Sequence, residues 1–200
     1  DNAPKEVVAA CDKLYYRNTI LVYLEVDALG LFPDNWIYVH SPEVQHGRIT
    51  NFRNWCPTLC GDKKTTILCL EYWCFDKDEI WTMDDDRLSD MAKSEVKKIK
   101  LVPQDAAILN SFVLRLGKCY PVYETGYAKH LSVVQNYVNS IPDLLAIGRY
   151  GAFKYNNHDH SILMGLLAAR EIISGKKEDL WSINTDTEYQ EKVEVEATGL

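Results

Sequence analysis

A chain of 200 residues is long enough to bury a substantial core. With 46% hydrophobic and 26% charged residues it has a globular composition, and no apolar run approaches the roughly 20 residues of a membrane helix. A net charge of −7 argues against a nucleic-acid surface, which needs clustered Lys and Arg. No basic or apolar leader pattern opens the chain, and the six cysteines include no CxxC pair, so a cytoplasmic protein with reduced thiols is expected.

The first predicted element is a helix over residues 3–14, with Val7, Val8, Cys11 and Leu14 on one face, Asn2 as its cap and Pro4 in its first turn. Residues 15–26 are β-rich and nearly continuous in apolar and aromatic side chains, a long strand with the charged Arg17 within it. Short strands follow at 36–40 and 48–54; in the second, Ile49, Asn51 and Arg53 share one face. Residues 65–75 form a further strand, and hairpin-length links predict an antiparallel sheet. Asp84, Asp85 and Asp86 precede Leu88, Met91, Ala92, Val96 and Ile99 at helical spacing, with lysines towards the far end, as the helix dipole favours. A strand is predicted at 106–116, continuing to Tyr120, and a helix at 127–141 with Leu131, Val134 and Val138 inward.

Residues 144–147, LLAI, have the character of a short buried strand. The glycine-bearing turn Gly148-Arg149-Tyr150-Gly151 follows, then a polar cluster, then a helix from Ser161 with Ile162, Leu163, Leu166, Leu167 and Ile173 at helical spacing. Such a helix start offers unpaired N–H groups and partial positive charge, suited to phosphate or an electron-rich carbonyl. Asp159 or Ser161 would equally serve as a simple N-cap. Residues 188–197 alternate acidic and apolar side chains, as an edge strand or a tail would.

Nucleophile motifs are absent: there is no GxSxG. His158 and His160 are spaced i, i+2, which diverges on a helix, so no metal site is expected. The ten glycines contain no GxG, so the dinucleotide-binding fingerprint is missing.

The segment GRYGAFKYNNHDHSILMGLLAARE, residues 148–171, closely resembles the C-terminal flavin-contacting segment of the FAD-dependent amine oxidase superfamily, in particular the branch of protoporphyrinogen-oxidase-like and UDP-galactopyranose-mutase-like proteins. Pro33 to Tyr38, Gly47 to Phe52, Asn54-Trp55, Glu71-Tyr72 and Tyr120 to Tyr123 extend the resemblance upstream. It implies an α+β fold: a mixed, mostly antiparallel sheet with helices packed on it, plus a strand–helix unit from an FAD-binding domain. Residues 1–142 would be the substrate-binding domain, 143–182 the flavin-contacting strand and helix, and 183–200 a tail or edge strand. Gly148, Arg149, Asn157, His158 and Asp159 would contact FAD, and Arg48, Asn51, Tyr120 and Tyr123 a small-molecule substrate. Where the mutase has an Asp-Met-Asp type sequence this chain has Asn157-His158-Asp159, and Tyr150 follows Gly148-Arg149. The partner would be an N-terminal FAD-binding domain of the same protein, without which the chain would neither hold FAD nor catalyse. The parent would be an FAD-dependent oxidoreductase or a mutase-like isomerase. A non-catalytic glycan or nucleotide-sugar binding domain, with aromatic stacking platforms, is the alternative.

Overall fold

The computed structural model describes residues 3–184. It comprises two compact units, residues Tyr15–Val122 and a second made of the residues up to Leu14 together with those from Tyr123 onward. Asn2 and residues 188–197 lie outside the described residues.

The first unit is built on a five-stranded sheet in the order β2-β3-β4-β1-β5, from β1 (Tyr16–Val26), β2 (Trp36–Tyr38), β3 (Arg48–Asn51), β4 (Thr66–Cys74) and β5 (Ile108–Pro121). Every pairing is antiparallel. Side chains alternate across a strand, so each strand contributes to two faces. The back face carries Ile20, Val22, Leu24, Ile49, Leu68, Leu70 and Tyr72, all at most 1% exposed.

Helix packing covers that back face. Two four-residue turns, α2 (Phe52–Trp55) and α3 (Glu79–Thr82), precede α4 (Asp85–Lys98). Asp84 caps α4 by accepting from the Arg87 amide at 2.8 Å, and Asp85, Asp86, Lys97 and Lys98 complement its dipole. Leu88, Ala92 and Val96 of α4 are fully buried in the core formed with the sheet. Burying each Leu or Val contributes about 1.5–3 kcal/mol before entropy is counted. Arg115 on β5 ties the strand to the start of α4, donating to Asp85 at 2.5 Å and to the carbonyls of Trp81 and Met83.

The expected strand over 48–54 ends at Asn51. Its side chain accepts from the Arg53 amide at 3.2 Å, and the backbone turns into α2. A local side-chain bond of this kind competes with the strand ladder.

In the second unit α1 (Lys5–Cys11) packs on α5 (Tyr127–Asn139). Pro4 stands at the N-cap of α1, and the buried residues are Val7 and Ala10, not Val8 or Cys11. After the turn α6 (Gly148–Gly151) comes α7 (His158–Ser174), whose Met164 and Ala168 pack with Ala152 and Leu180.

One expectation for this unit needs correction. Residues 144–147 form no strand, although Ile147 itself is extended at φ −131° and ψ 162°. A strand exists only through its neighbours' N–H and C=O groups, and among the described residues this unit has no sheet. The apolar residues of α7 lie largely at the surface: Ile162, Leu166 and Ile173 are 63%, 65% and 86% exposed. No helix among the described residues is long and apolar enough to cross a membrane.

Candidate functional site

The front face of the sheet gathers a cluster of charged and aromatic groups. Cross-strand register places Tyr38 opposite Arg48, Arg48 opposite Glu71, Trp73 opposite Thr19, and Arg17 opposite Tyr120. Glu71 and Trp73 share a face because they are two apart on β4.

Arg48 is the most constrained of these groups. Its Nε and Nη2 donate to Oε1 and Oε2 of Glu71 at 2.6 and 2.8 Å, and Nη1 donates to the Tyr38 hydroxyl at 3.3 Å. Its guanidinium also lies over the Tyr38 ring, 5.6 Å from the centroid. Burial alone would disfavour its charge, but the Glu71 carboxylate more than offsets this and holds Arg48 firmly protonated.

Arg17 supplies a second cation. Its guanidinium lies 5.4 Å from the Trp73 ring centroid and 5.8 Å from that of Tyr120. Trp73 in turn lies 6.5 Å from both Tyr38 and Tyr120, edge-on to the latter. Two guanidiniums and three rings are thus interleaved around one carboxylate, leaving an excess of one positive charge. Arg17 forms no ion pair among the described residues.

Asn51 does not join this face. It is 2% exposed on the core side, donating to the Phe32 carbonyl at 3.4 Å while capping α2. At the edge of the sheet Trp36 stacks on Trp55, centroids 5.1 Å apart and nearly parallel, both substantially exposed.

The second unit holds the other predicted site residues. Gly148 takes φ +77°, a conformation other residues rarely adopt, and so turns the chain from the extended Ile147 into α6. Arg149 donates from Nε and Nη2 to the Asn156 carbonyl at 3.1 and 2.6 Å and lies 4.8 Å over the Tyr155 ring. Tyr123 clamps the same loop: its hydroxyl accepts from the Tyr155 amide at 2.7 Å and reaches the Phe153 carbonyl at 3.4 Å. Its ring stacks on Tyr127 at 4.6 Å. Burial raises the pKa of its hydroxyl.

Asn157 and His160 close a reciprocal capping box at the start of α7. The Asn157 amide donates to His160 Nδ1 at 3.2 Å, while the Asn157 side chain accepts from the His160 amide. The box does not engage the amides of His158 and Asp159, and both residues are exposed. This helix end therefore keeps donors and partial positive charge at the surface, where they could meet an anionic or electron-rich group.

Sequence reasoning brought Arg48 and Tyr120 to the front face but did not name Tyr38, Glu71, Trp73 or Arg17 as its companions. The available signal was Glu71 itself, a carboxylate inside the otherwise apolar run ILCLEYWC.

The fold has counterparts among solved structures. A structure titled as reduced UDP-galactopyranose mutase matches with a TM-score of 0.76 at 22% identity, over 88% of this chain and 37% of that one. The chain folds like part of a UDP-galactopyranose mutase. A putative protoporphyrinogen oxidase from Exiguobacterium sp. 255-15 matches with a TM-score of 0.54 at 17% identity, over 69% of this chain and 31% of that one. The α+β fold implied by the sequence resemblance is the fold observed. The chain spans about a third of the length of either solved structure. No family model and no curated protein matches it.

Proposed function

We propose that this chain is the substrate-binding and C-terminal flavin-contacting part of an FAD-dependent enzyme of the amine oxidase superfamily, inactive on its own. The observation that carries this reading is the front-face cluster of Arg48, Glu71, Tyr38, Trp73, Arg17 and Tyr120. A face with stacking rings and one uncompensated guanidinium suits a substrate that carries a flat ring and an anionic group.

The cofactor would be met by the second unit. The amides of His158 and Asp159 would stabilise negative charge on the flavin ring, Gly148 would let the backbone turn close by, and Arg149 would steady the loop between them. FAD would supply the redox chemistry, and the protein orientation and electrostatics. The pyrophosphate anchor would belong to an N-terminal domain of the same protein, since no GxGxxG occurs here. The unpaired 144–147 segment and the exposed stripe of α7 would be covered by that domain.

A second reading has support in the fuller match to the mutase: isomerisation of a sugar nucleotide, with the flavin as a redox-assisted nucleophile. The fold itself does not choose between the two.

One experiment tests the main reading. The reading frame containing this chain and whatever precedes it is expressed, and the product is expected to be yellow or to take up FAD. Colourless protein that FAD cannot reconstitute overturns the proposal. For the second reading, the flavin-loaded protein is reduced and given UDP-galactopyranose, and an isomerised product is sought by NMR; only unchanged sugar nucleotide would exclude that chemistry on that substrate.

A further inference from the structure

Three groups from three separate elements meet behind the open face, on the helix-covered side of the sheet. His46, 1% exposed, places Nδ1 2.7 Å from Glu95 Oε2. The Tyr72 hydroxyl donates to the same oxygen at 2.9 Å, and the Gln45 amide donates to Oε1 at 2.7 Å. Glu95 is an acid in the last turn of α4 and only 7% exposed. The ring of His46 stands edge-on to Tyr72, centroids 6.0 Å apart.

This network has a cost. His46 Nε2 is buried with no hydrogen-bond partner. Such an orphan forfeits about 1–3 kcal/mol. An apolar side chain of similar size would fill the space without that loss, so filling the core is not what distinguishes histidine here.

What the network fixes is backbone. Glu95 holds both the amide of Gln45 and the ring of His46, which are consecutive residues. Gly47 comes next: its amide donates to the Glu71 carbonyl and its carbonyl accepts from the Val39 amide, each at 2.9 Å. The Trp73 ring occupies the place where a Cβ on Gly47 would stand, so this close approach admits only glycine. Arg48 follows immediately. On β4 the tripeptide Glu71-Tyr72-Trp73 matches this run face by face: Glu71 takes Arg48 in front, Tyr72 meets Glu95 behind, and Trp73 covers Gly47 in front.

We propose that the buried His46–Glu95–Tyr72 network is the positioning device for Arg48, holding its backbone from behind the sheet so that its guanidinium engages Glu71 and Tyr38 in one orientation. The functional meaning rests on Arg48 being a ligand-binding residue, as argued above; the mechanical coupling does not. A misplacement of about 1 Å at a substrate-holding group is enough to matter. A network two residues away along a hydrogen-bonded backbone is well placed to prevent it.

The test follows the Arg48 Nε–Hε NMR signal in the 200-residue chain without any ligand. Held by two short bonds to Glu71, this proton is expected to exchange slowly with solvent. Glu95→Gln keeps the side-chain shape but removes the charge that gathers three donors. Exchange at Arg48 should then quicken about tenfold, equivalent to about 1.4 kcal/mol of lost protection. Tyr72→Phe should produce a smaller change in the same direction. Asp85→Asn, which breaks the Arg115 ion pair elsewhere on α4, should leave Arg48 unchanged. If Glu95→Gln lowers the melting temperature yet leaves Arg48 exchange at the wild-type rate, the network is merely structural and the proposal is overturned. Should Glu95→Gln fail to fold, Tyr72→Phe decides by the same readout, and unaltered exchange there overturns it. No flavin or substrate enters the measurement, so its failure is separable from failure of the functional reading.

Discussion

Arg48 and Glu71 meet fork to fork across adjacent strands, both guanidinium-to-carboxylate distances lying below 3 Å. Glu71 is itself only 7% exposed, so removing its partner strands a carboxylate in a place water barely reaches. Arg48→Ala is therefore expected to destabilise the chain by about 2 kcal/mol. Arg17→Ala, which loses only ring contacts, should cost no more than about 1 kcal/mol. Urea midpoints at unchanged m-value measure both. Equal losses would contradict the view that Arg17 is the uncompensated charge of the face.

The contact between Gly47 and Trp73 leaves no room for a methyl group. Gly47→Ala should overpack the sheet and cost about 1–3 kcal/mol. Thermal denaturation gives the size of the loss, and the near-ultraviolet dichroism of the tryptophans should change with it.

Stability should fall at acid pH in a way that Glu95 helps to set. Burial pushes this carboxyl up, but hydrogen bonds from His46, the Gln45 amide and Tyr72 outweigh burial and hold its pKa below the ordinary value of 4.5. A depressed acid contributes stability that is complete above its unfolded pKa and is lost as pH falls through the folded one. The window therefore opens near pH 4.5 and extends below it. Glu25, lowered by Asn110, Lys63 and Thr65 despite a small opposing effect of burial, acts in the same direction. Chemical denaturation of wild type and Glu95→Gln between neutral pH and pH 3 isolates the Glu95 share (about one unit of pH on either side of the ordinary glutamate value suffices to see the slope). The variant should lose less stability over that interval.

Tyr123 distinguishes a clamp from a ligand contact. Its hydroxyl is already engaged by the Tyr155 amide and the Phe153 carbonyl. Tyr123→Phe should cost about 0.5–1.5 kcal/mol of stability through the lost hydrogen bonds. Faster amide exchange at Tyr155 should accompany it. A variant with unchanged stability but weakened substrate binding in the flavin-loaded protein would reverse the assignment and make Tyr123 a substrate contact.

The exposed stripe of α7 should make the isolated chain self-associate. Replacing Ile162, Leu166 and Ile173 by glutamine is expected to lower the association seen in sedimentation velocity without lowering the melting temperature, since none of the three is buried.

The sequence made the frame legible wherever a pattern could be satisfied within the chain. β1 and β4 followed from dense β-branched and aromatic runs, and α4 from a capped apolar period flanked by opposite charges. The pattern misled where the answer depended on something beyond local chemistry. LLAI reads as a strand, but a ladder needs a neighbour and none of the described residues supplies one. Residues 52–54 read as the continuation of a strand, yet the Asn51 side chain accepts from the Arg53 amide and the backbone turns into α2. At the site, Arg48 and Tyr120 stood out individually. Their grouping with Tyr38, Trp73 and Arg17 depends on cross-strand register, which no single stretch of sequence contains.

The segment after α5 that pairs with no strand also bears on how the chain behaves in a test tube. Endopeptidases draw their substrates into a stretched conformation before cutting; Ile147 already has that backbone shape, and Leu144 and Ile147 are 45% and 39% exposed. A brief digestion with a leucine-preferring enzyme should nick here early and leave the five-stranded body whole.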